Sequence, residues 1–452
     1  MASGFSRAEQ LSLLLFSNLL LASCLDASHE EEARKTMEDF SGYPTHSHPS
    51  YSCLSPSSLL VDIQGLQTQI EELSAFSDAP APAVTRILYT HKDVLARRYI
   101  KQRMNEAGLS LREDAVGNIF GRWDGAEPDL PAVATGSHID AIPYSGRYDG
   151  VVGVLGAIEA INVLKRSLLG MMYKVGYWQG SLELAHALHE VVDEQNISFV
   201  EAARTAGYAS QEDLSSVFLK KQNYFSFIEL HIEQGPILEQ EGIPIGVVTA
   251  IAAPASIQVE FEGNGGHAGA VLMPARNDAG LAAAELSLAV EKHVLDSGSI
   301  DTVGTVGVMN LHPAAINSIP SKAHIEIDAR DIDEERRNVV VNKIYQSAVQ
   351  IAEKRGVRLS KFKIVNQDPP ALSSSMIIKT MEDAAKQLNF DSMRMISRAY
   401  HDSLFMARIS PMGMIFIPCY RGYSHKPEEF ASPENIAKGV KVLALTLAKL
   451  SS

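Results

Sequence analysis

One stretch of the sequence combines a short apolar run with a histidine and two aspartates. Pro131-Ala132-Val133-Ala134 has the composition of a buried strand and leads into Ser137-His138-Ile139-Asp140. Tyr148-Asp149-Gly150 follows, and the next residues are small or β-branched, as in a helix that packs closely on a sheet. A strand, a polar loop and a closely packed helix predict an α/β layer fold. Because imidazole and carboxylate groups suit zinc, manganese or cobalt, the polar loop is a candidate for half of a metal site.

Two further histidines follow predicted buried strands. Phe225–Leu230 leads into His231, and Met414–Ile417 leads into the segment that contains His425. In open α/β sheets, the loops after the carboxyl ends of the strands converge on the binding crevice. We therefore expect both histidines to lie beside His138 in one metal site.

The two aspartates of the first stretch have different expected roles. Asp149 stands before the predicted helix, where it could bridge two ions in a site that activates water and polarises a carbonyl. Asp140 lies two residues after His138 and could accept its other ring proton, which would fix the tautomer of the histidine.

The order of predicted elements indicates two folded domains. Residues 250–366 have the order strand-helix-strand-strand-helix-strand, which predicts an inserted α+β sandwich on a sheet of its own. Residues 55–249 and 367–452 alternate helices with buried strands, which predicts a catalytic α/β domain with a mixed, largely parallel sheet. Its first helix is expected at about Ser57–Phe76, and its last helix has Ser432 as cap and Pro433 in the first turn.

The amino terminus has the pattern of a secretory signal peptide. Arg7 precedes an apolar run, Leu11–Leu21, which is short for a membrane span and is followed by small residues up to Cys24. We interpret residues 1–24 as a signal peptide, with a membrane-anchoring or buried helix as the alternative, and residues 25–54 as a mobile leader. Asn196-Ile197-Ser198 is a possible N-glycosylation sequon.

Charge and cysteine content exclude several classes of function. The formal net charge is -14 and the sequence has no Lys/Arg-rich patch, which argues against nucleic acid or an anionic membrane as the main partner. The three cysteines are too few and too scattered for a disulfide framework. Cys419 lies in an apolar run and is expected to be inert core.

Seven short motifs form a set that spans most of the chain. They are Gly136–Asp140, Tyr148–Gly150, Leu230–Gly235, Gly265–Gly269, Ile316–Pro320, Asp328–Arg330 and Tyr423–His425. As a set they resemble the ureido branch of the metal-dependent aminoacylase and carboxypeptidase-type amidohydrolases, over roughly residues 57–450.

The resemblance implies a role for each of these positions. His138, His231 and His425 would ligate two divalent ions, expected to be manganese, with Asp149 bridging. His267 would stabilise the oxyanion of the tetrahedral intermediate, and in the family this His and Asn317 cross the interface of a homodimer. The remaining implied substrate contacts are Arg330, as a clamp for a carboxylate, and Gln234, Tyr400 and His401, which would line the pocket. From the sequence alone, an ion pair on the polar face of its strand is an equal alternative for Arg330.

The implied reaction is the hydrolysis of a ureido acid. Ala399–Ser403 indicates the ureidoglycolate enzymes, which release glyoxylate, ammonia and carbon dioxide in purine catabolism. With the signal peptide, this implies the endoplasmic reticulum as the location. Allantoate or an N-carbamoyl amino acid is the alternative substrate.

The family pattern is broken between Asp149 and His231. Family members carry there a central strand that ends in a Glu-Glu pair, in which the first Glu is the general base and the second is a metal ligand. This chain has no Glu-Glu pair in that interval. We hypothesise that Met171–Trp178 partly takes the place of the strand. None of the nearby acids, Glu183, Glu190 and Glu194, is expected to replace the pair, so a catalytically dead, dimerising homologue is a further alternative.

Overall fold

The structure of the chain is a computed structural model that describes residues 58–125, 130–167, 197–209, 217, 219 and 221–451. The predicted signal peptide, the leader, the segment Met171–Trp178 and the sequon at Asn196 lie outside these residues. The described residues divide into two compact units. The smaller unit comprises Thr249–Leu372 and Met395–Leu404, and the larger unit comprises the rest.

The described residues form ten α-helices and sixteen strands. The helices are α1 (Ile63–Ser74), α2 (His91–Glu106), α3 (Val151–Ser167), α4 (Phe199–Thr205), α5 (Ile237–Glu241), α6 (Ala279–Leu295), α7 (Glu334–Arg355), α8 (Ser375–Gln387), α9 (Asp402–Met406) and α10 (Pro433–Leu450). The strands are β1 (Val84–Arg86), β2 (Ser110–Glu113), β3 (Ile119–Arg122), β4 (Ala132–Thr135), β5 (Ala141–Ser145), β6 (Tyr224–Ile232), β7 (Ile245–Ile251), β8 (Ala253–Glu262), β9 (Gly266–His267), β10 (Val303–His312), β11 (Ser318–Ile319), β12 (Lys322–Asp331), β13 (Arg358–Gln367), β14 (Ala371–Leu372), β15 (Ser392–Ser397) and β16 (Met412–Ile417).

The larger unit is built on a mixed sheet with the order β7-β16-β6-β4. β16 and β4 both pair with β6 in parallel, and β7 pairs with β16 antiparallel. β6 and β16 are buried almost throughout, as expected for strands that are covered on both faces. The predicted α/β class with a mixed, largely parallel sheet is confirmed.

Helix α3 packs directly on this sheet and is buried along nearly its whole length. The close approach depends on its glycines, because a Cβ at Gly153 would lie 2.5 Å from the carbonyl oxygen of Leu230 in β6. On its other sides α3 contacts α1 and α10. The start of α3 is therefore held rigidly against the carboxyl end of β6.

The first helix begins later than predicted. Its residues start at Ile63 rather than near Ser57, because the side chain of Asp62 accepts a hydrogen bond from the backbone N–H of Gly65 and caps the helix there. The predicted start of the last helix is confirmed: Ser432 caps α10 through Asn435 N, and Pro433 is its first residue.

The smaller unit has its own antiparallel sheet with the order β10-β12-β8-β13. Helices α6 and α7 pack on this sheet and share one apolar core with it. The order β8-α6-β10-β12-α7-β13 is the predicted strand-helix-strand-strand-helix-strand order of an α+β sandwich.

The smaller unit extends beyond the residues 250–366 that the sequence indicates. It also contains residues 367–372 and 395–404, which the sequence analysis assigned to the catalytic domain. The contacts of residues 395–404 explain this difference. Thr249 donates to the carbonyl of Met395 and Ala252 to that of Ser397, while Arg398 forms an ion pair with Asp301.

No helix among the described residues is long and apolar enough to cross a membrane. Cys419 is 1% exposed, and burial raises the pKa of its thiol to about 12. The prediction of an inert core cysteine is confirmed.

His324 on β12 bridges two carboxylates on one face of the smaller sheet. Its Nε2 lies 3.0 Å from Glu326, and its Nδ1 lies 3.3 Å from Glu260, which also faces Lys361. The hydrogen bond to Glu326 raises the pKa of His324 above its ordinary value, against the opposing effect of burial. The ion pair of His324 with Glu326 therefore stabilises the fold fully below the unfolded-state pKa of histidine, about 6.5. This stabilisation is lost as the pH rises through the higher folded-state pKa.

We predict that His324→Gln lowers the thermal unfolding midpoint more at pH 6 than at pH 9. The measurement is differential scanning calorimetry of the full chain and the variant at both pH values. Repeating the comparison in a Glu326→Gln background is the control, because loss of the main partner should shrink the pH-dependent part. An equal effect of His324→Gln at both pH values would contradict this assignment.

Candidate metal centre

The three predicted histidines lie at the carboxyl ends of three adjacent parallel strands. His138 follows β4, His231 is the next-to-last residue of β6, and His425 follows β16 after a short turn at Tyr420–Gly422. The parallel pairing of these strands puts their carboxyl ends at one edge of the sheet. The structure therefore brings all three histidines together with Asp149, which stands at the start of α3.

Asp149 is the centre of this group. Its Oδ1 lies 3.1 Å from Nε2 of His231 and 3.8 Å from Nε2 of His138. Its Oδ2 lies 3.1 Å from Nε2 of His425. The two oxygens of one carboxylate thus face different histidines, which is the arrangement that a bridging ligand requires.

Hydrogen bonds orient two of the imidazole rings. Nδ1 of His231 lies 2.8 Å from the carbonyl oxygen of Ile232, and Nδ1 of His138 lies 3.2 Å from that of Asp140. The carboxylate of Asp140 is 3.4 Å from the same Nδ1. A ring proton held on Nδ1 leaves Nε2, the nitrogen that faces Asp149, as the one that could ligate a metal once it carries no proton.

The electrostatics of the group keep Asp149 ionised. Burial alone would raise its pKa, but hydrogen bonds from His231 and His425 and the charge of His138 hold that pKa well below its usual range. Burial alone would lower the pKa of His231, and the hydrogen bond with Asp149 raises it instead. The ionised carboxylate suits a cation, and the proton that the raised pKa favours on His231 would have to leave when a metal binds.

The described residues fit a metal ion by the chemistry of their donors. One donor atom from each of His138, Asp149 and His231 lies within 4.8 Å of the others. Nitrogen and carboxylate oxygen donors in this number suit zinc, manganese or cobalt. His425, with a side chain 54% exposed, extends the group on the Oδ2 side of Asp149.

The backbone near the group is tightly constrained. Gly150 has φ +66, and a Cβ there would lie 2.6 Å from the ring of His138. Gln234 and His425 also adopt the left-handed region, with φ of 58 and 57. Non-glycine residues in this region cost about 1–3 kcal/mol each and persist only where the surroundings hold them.

Gln234, predicted to line the pocket, contacts Asp149 directly. Its Nε2 donates to Oδ1 of Asp149 at 3.0 Å and to the hydroxyl of Ser424 at 2.9 Å.

The sequence analysis missed Glu429 and Ser424. Glu429 is 3% exposed, and its Oε1 accepts hydrogen bonds from the backbone N–H groups of Tyr148, at 2.8 Å, and Asp149, at 3.0 Å. Burial, with a further contribution from the charge of Asp149, raises the pKa of Glu429. The only sequence signal was its position four residues after His425.

Glu229 is a second buried carboxylate that the sequence analysis missed. It is fully buried in β6, two residues before His231, so both side chains lie on the same face of the strand. Its Oε1 accepts a hydrogen bond from the hydroxyl of Ser137 at 2.7 Å, which ties β6 to the residue before His138.

The other predicted substrate contacts belong to the smaller unit. His267 on β9 and Asn317 are exposed. Arg330 forms a bidentate ion pair with Asp328, with N–O distances of 2.7 and 2.8 Å. This ion pair is the alternative that the sequence left open for Arg330. The hydroxyl of Tyr400 donates to Asp368 at 2.5 Å, and Nε2 of the buried His401 lies 2.8 Å from the hydroxyl of Ser397.

Comparisons with known proteins show the family to which the chain belongs. The model of peptidase family M20/M25/M40 matches residues 134–449. The chain is 68% identical to ureidoglycolate hydrolase of Arabidopsis thaliana over 98% of both chains. It is 33% identical to N-carbamoyl-L-amino-acid amidohydrolase of Pseudomonas sp. (strain NS671), over 85% of this chain and 97% of the relative.

Two crystal structures of AtUAH, in complex with (S)-hydroxyglycine and with glyoxylate, superpose on the chain with a TM-score of 0.82. The sequences are 71% identical, and the match covers 88% of this chain and 99% of that protein. The resemblance to the ureido branch is confirmed. The alignment with the Arabidopsis relative runs over 469 residues, more than the 452 of this chain, so the relative has residues that this chain lacks.

Proposed function

Because the chain belongs to peptidase family M20/M25/M40, we propose that it is a ureidoglycolate amidohydrolase. The reaction is the hydrolysis of (S)-ureidoglycolate to glyoxylate, ammonia and carbon dioxide, in the breakdown of purine-derived ureides. The observation that carries this proposal is the 68% identity to ureidoglycolate hydrolase over nearly the whole chain. The identity to the N-carbamoyl-amino-acid enzyme is about half as high, which favours ureidoglycolate over that alternative.

The family is metal-dependent, and the proposal extends to two divalent ions, expected to be manganese. His138, His231 and Oδ1 of Asp149 would hold one ion, and Oδ2 of Asp149 with His425 would hold the other. Such ions act as Lewis acids on a carbonyl and as activators of water. The donor types and the orientation of the two imidazoles toward Asp149 support this assignment.

The residues of the smaller unit would bind the organic part of the substrate. A guanidinium pairs with a carboxylate through two parallel hydrogen bonds, so Arg330 is suited to the carboxylate of ureidoglycolate. Asp328 now occupies one edge of this guanidinium and sets its orientation. His267 would donate to the oxyanion that forms at the ureido carbon.

The missing Glu-Glu pair predicts reduced turnover. Without its first Glu, the chain lacks the carboxylate that in the family takes the proton of the attacking water and returns it to the leaving amine, and each such transfer contributes about 10²–10⁴-fold. Without its second Glu, an ion beside His425 would have two ligands among the residues that the structure describes, Asp149 and His425. Glu429 does not contact the histidines in these hydrogen bonds: its two oxygens accept from the backbone of Tyr148 and Asp149 and from Ser424. The same absence favours a second candidate, a dead homologue that only dimerises or binds ligand.

We predict that the full chain with manganese releases ammonia from ureidoglycolate in preference to allantoate and an N-carbamoyl amino acid, with kcat about 10²–10⁴-fold below that of the Arabidopsis relative. The assay is ammonia release by both proteins under the same conditions, with Asp149→Asn as the inactive control. A rate equal to that of the relative would contradict the impairment. A preference for another substrate would contradict the substrate assignment, and no release from any of them would favour the dead homologue.

The smaller unit exposes an apolar surface that fits a homodimer. Leu281, Leu288 and Leu295 recur every seven residues along α6 and are 43%, 68% and 75% exposed. β10, which packs beside α6, is an edge strand of the four-stranded sheet and exposes Met309 and Leu311. An apolar patch beside an open sheet edge is typical of an association surface. We propose that a second copy of this chain covers it through a twofold contact.

Leu288→Lys should convert the dimer to a monomer, because it places a charge in the middle of the proposed interface. Light scattering coupled to size-exclusion chromatography measures the mass of each variant. Leu130→Lys is the matched control, since Leu130 is 60% exposed in the larger unit. A monomeric unmodified chain, or a dimer that survives Leu288→Lys, would contradict the proposal.

We further propose that the chain enters the secretory pathway and stays in the endoplasmic reticulum. The support is the signal-peptide pattern of residues 1–24. A fluorescent protein fused to the full chain should co-localise with an endoplasmic-reticulum marker in plant cells, and deletion of residues 2–24 should disperse it. The same distribution for both fusions would contradict the assignment.

A further inference from the structure

A closed ring of hydrogen bonds runs from Asp149 through Glu429, Ser424 and Gln234 back to Asp149. We propose that Glu429 is a positioning residue, which holds Asp149 and the loop of His425 in the geometry that binds metal. The inference rests on the metal-dependent function proposed above, but its test does not require turnover.

One side of the ring fixes the backbone of Asp149. Oε1 of Glu429 accepts the N–H groups of both Tyr148 and Asp149. With Gly150, these residues lead directly into α3, which is itself packed on β6. A buried carboxylate that accepts two backbone N–H groups is held more strongly than a neutral acceptor would be. Gly146 leaves room for it, because a Cβ there would lie 2.4 Å from Oε1 of Glu429.

The other side of the ring fixes the side chain of Asp149 and the neighbour of His425. The hydroxyl of Ser424 donates to Oε2 of Glu429 at 3.0 Å. The same hydroxyl accepts from Gln234, which also donates to Oδ1 of Asp149. Each hydrogen bond of the ring joins one donor to one acceptor, and the last one returns to Asp149.

The ring accounts for the unusual backbone at the site. Gln234 belongs to the ring, and His425 follows its member Ser424. These two are the non-glycine residues described above in the left-handed region. Their conformations persist only if the surroundings hold them. Glu429 connects their two loops to Asp149, so its loss should release both loops.

The test compares Glu429→Ala, Glu429→Gln and Ser424→Ala in the full chain. Glu428→Gln is the matched control, because it removes a carboxylate from the adjacent, exposed position. Two quantities are measured: hydrogen exchange at the amides of Tyr148 and Asp149 without metal, and the affinity for Mn²⁺ by titration.

Glu429→Ala should speed exchange at both amides and weaken Mn²⁺ binding by about 10–100-fold, the usual effect of losing a residue that orients metal ligands. Ser424→Ala should weaken Mn²⁺ binding while both amides stay protected, since Glu429 still accepts them. Glu429→Gln should restore part of the affinity, because its amide oxygen can accept the backbone N–H groups but its NH₂ cannot accept the proton of Ser424.

A variant that binds Mn²⁺ more weakly while the amides of Tyr148 and Asp149 stay protected has lost positioning and has not been generally destabilised. Should Glu429→Ala fail to fold, Ser424→Ala and Glu429→Gln still decide the question. Mn²⁺ affinities of all variants equal to that of Glu428→Gln would overturn the proposal, and so would an unmodified chain that binds no Mn²⁺. A chain that binds Mn²⁺ but does not hydrolyse ureidoglycolate would contradict the proposed function and leave this result valid.

Discussion

The site depends on one carboxylate whose two oxygens face different histidines. Asp149 can take this position because it stands at the start of α3, and α3 is pressed onto β6 by contacts that only glycine permits at Gly153. β6 carries His231 at its end, so the same packing sets the distance between Asp149 and His231. The parallel neighbours of β6 then bring His138 and His425 to the same edge of the sheet.

The sequence was sufficient for the parts of this arrangement that follow from regular structure. Strand ends that carry His138, His231 and His425 could be recognised from buried runs, and the parallel sheet then required them to meet. The order of elements in the smaller unit was readable from periodicity for the same reason. Helix α1 and residues 395–404 were placed less well, because a single cap at Asp62 and a few long-range backbone hydrogen bonds decide them.

Glu429 shows the limit of such reasoning. It lies in an irregular loop after His425, next to another glutamate, and no periodicity separates the buried one from the exposed one. Its role depends on contacts with residues about 280 positions earlier in the chain. Its three hydrogen bonds join it to the backbone of Tyr148 and Asp149 and to Ser424, which fits the positioning role proposed above. We therefore propose that the chain keeps the group of histidines and aspartate that binds metal and is impaired in proton transfer.

The central claim is that Asp149 and its histidines form a metal site in this chain. Anomalous diffraction at the manganese edge, from crystals of the full chain grown with Mn²⁺, tests it most directly. We predict an anomalous difference peak within coordinating distance of Oδ1 of Asp149 and of Nε2 of both His138 and His231. Crystals that hold Mn²⁺ elsewhere, with no peak among these three side chains, would contradict it.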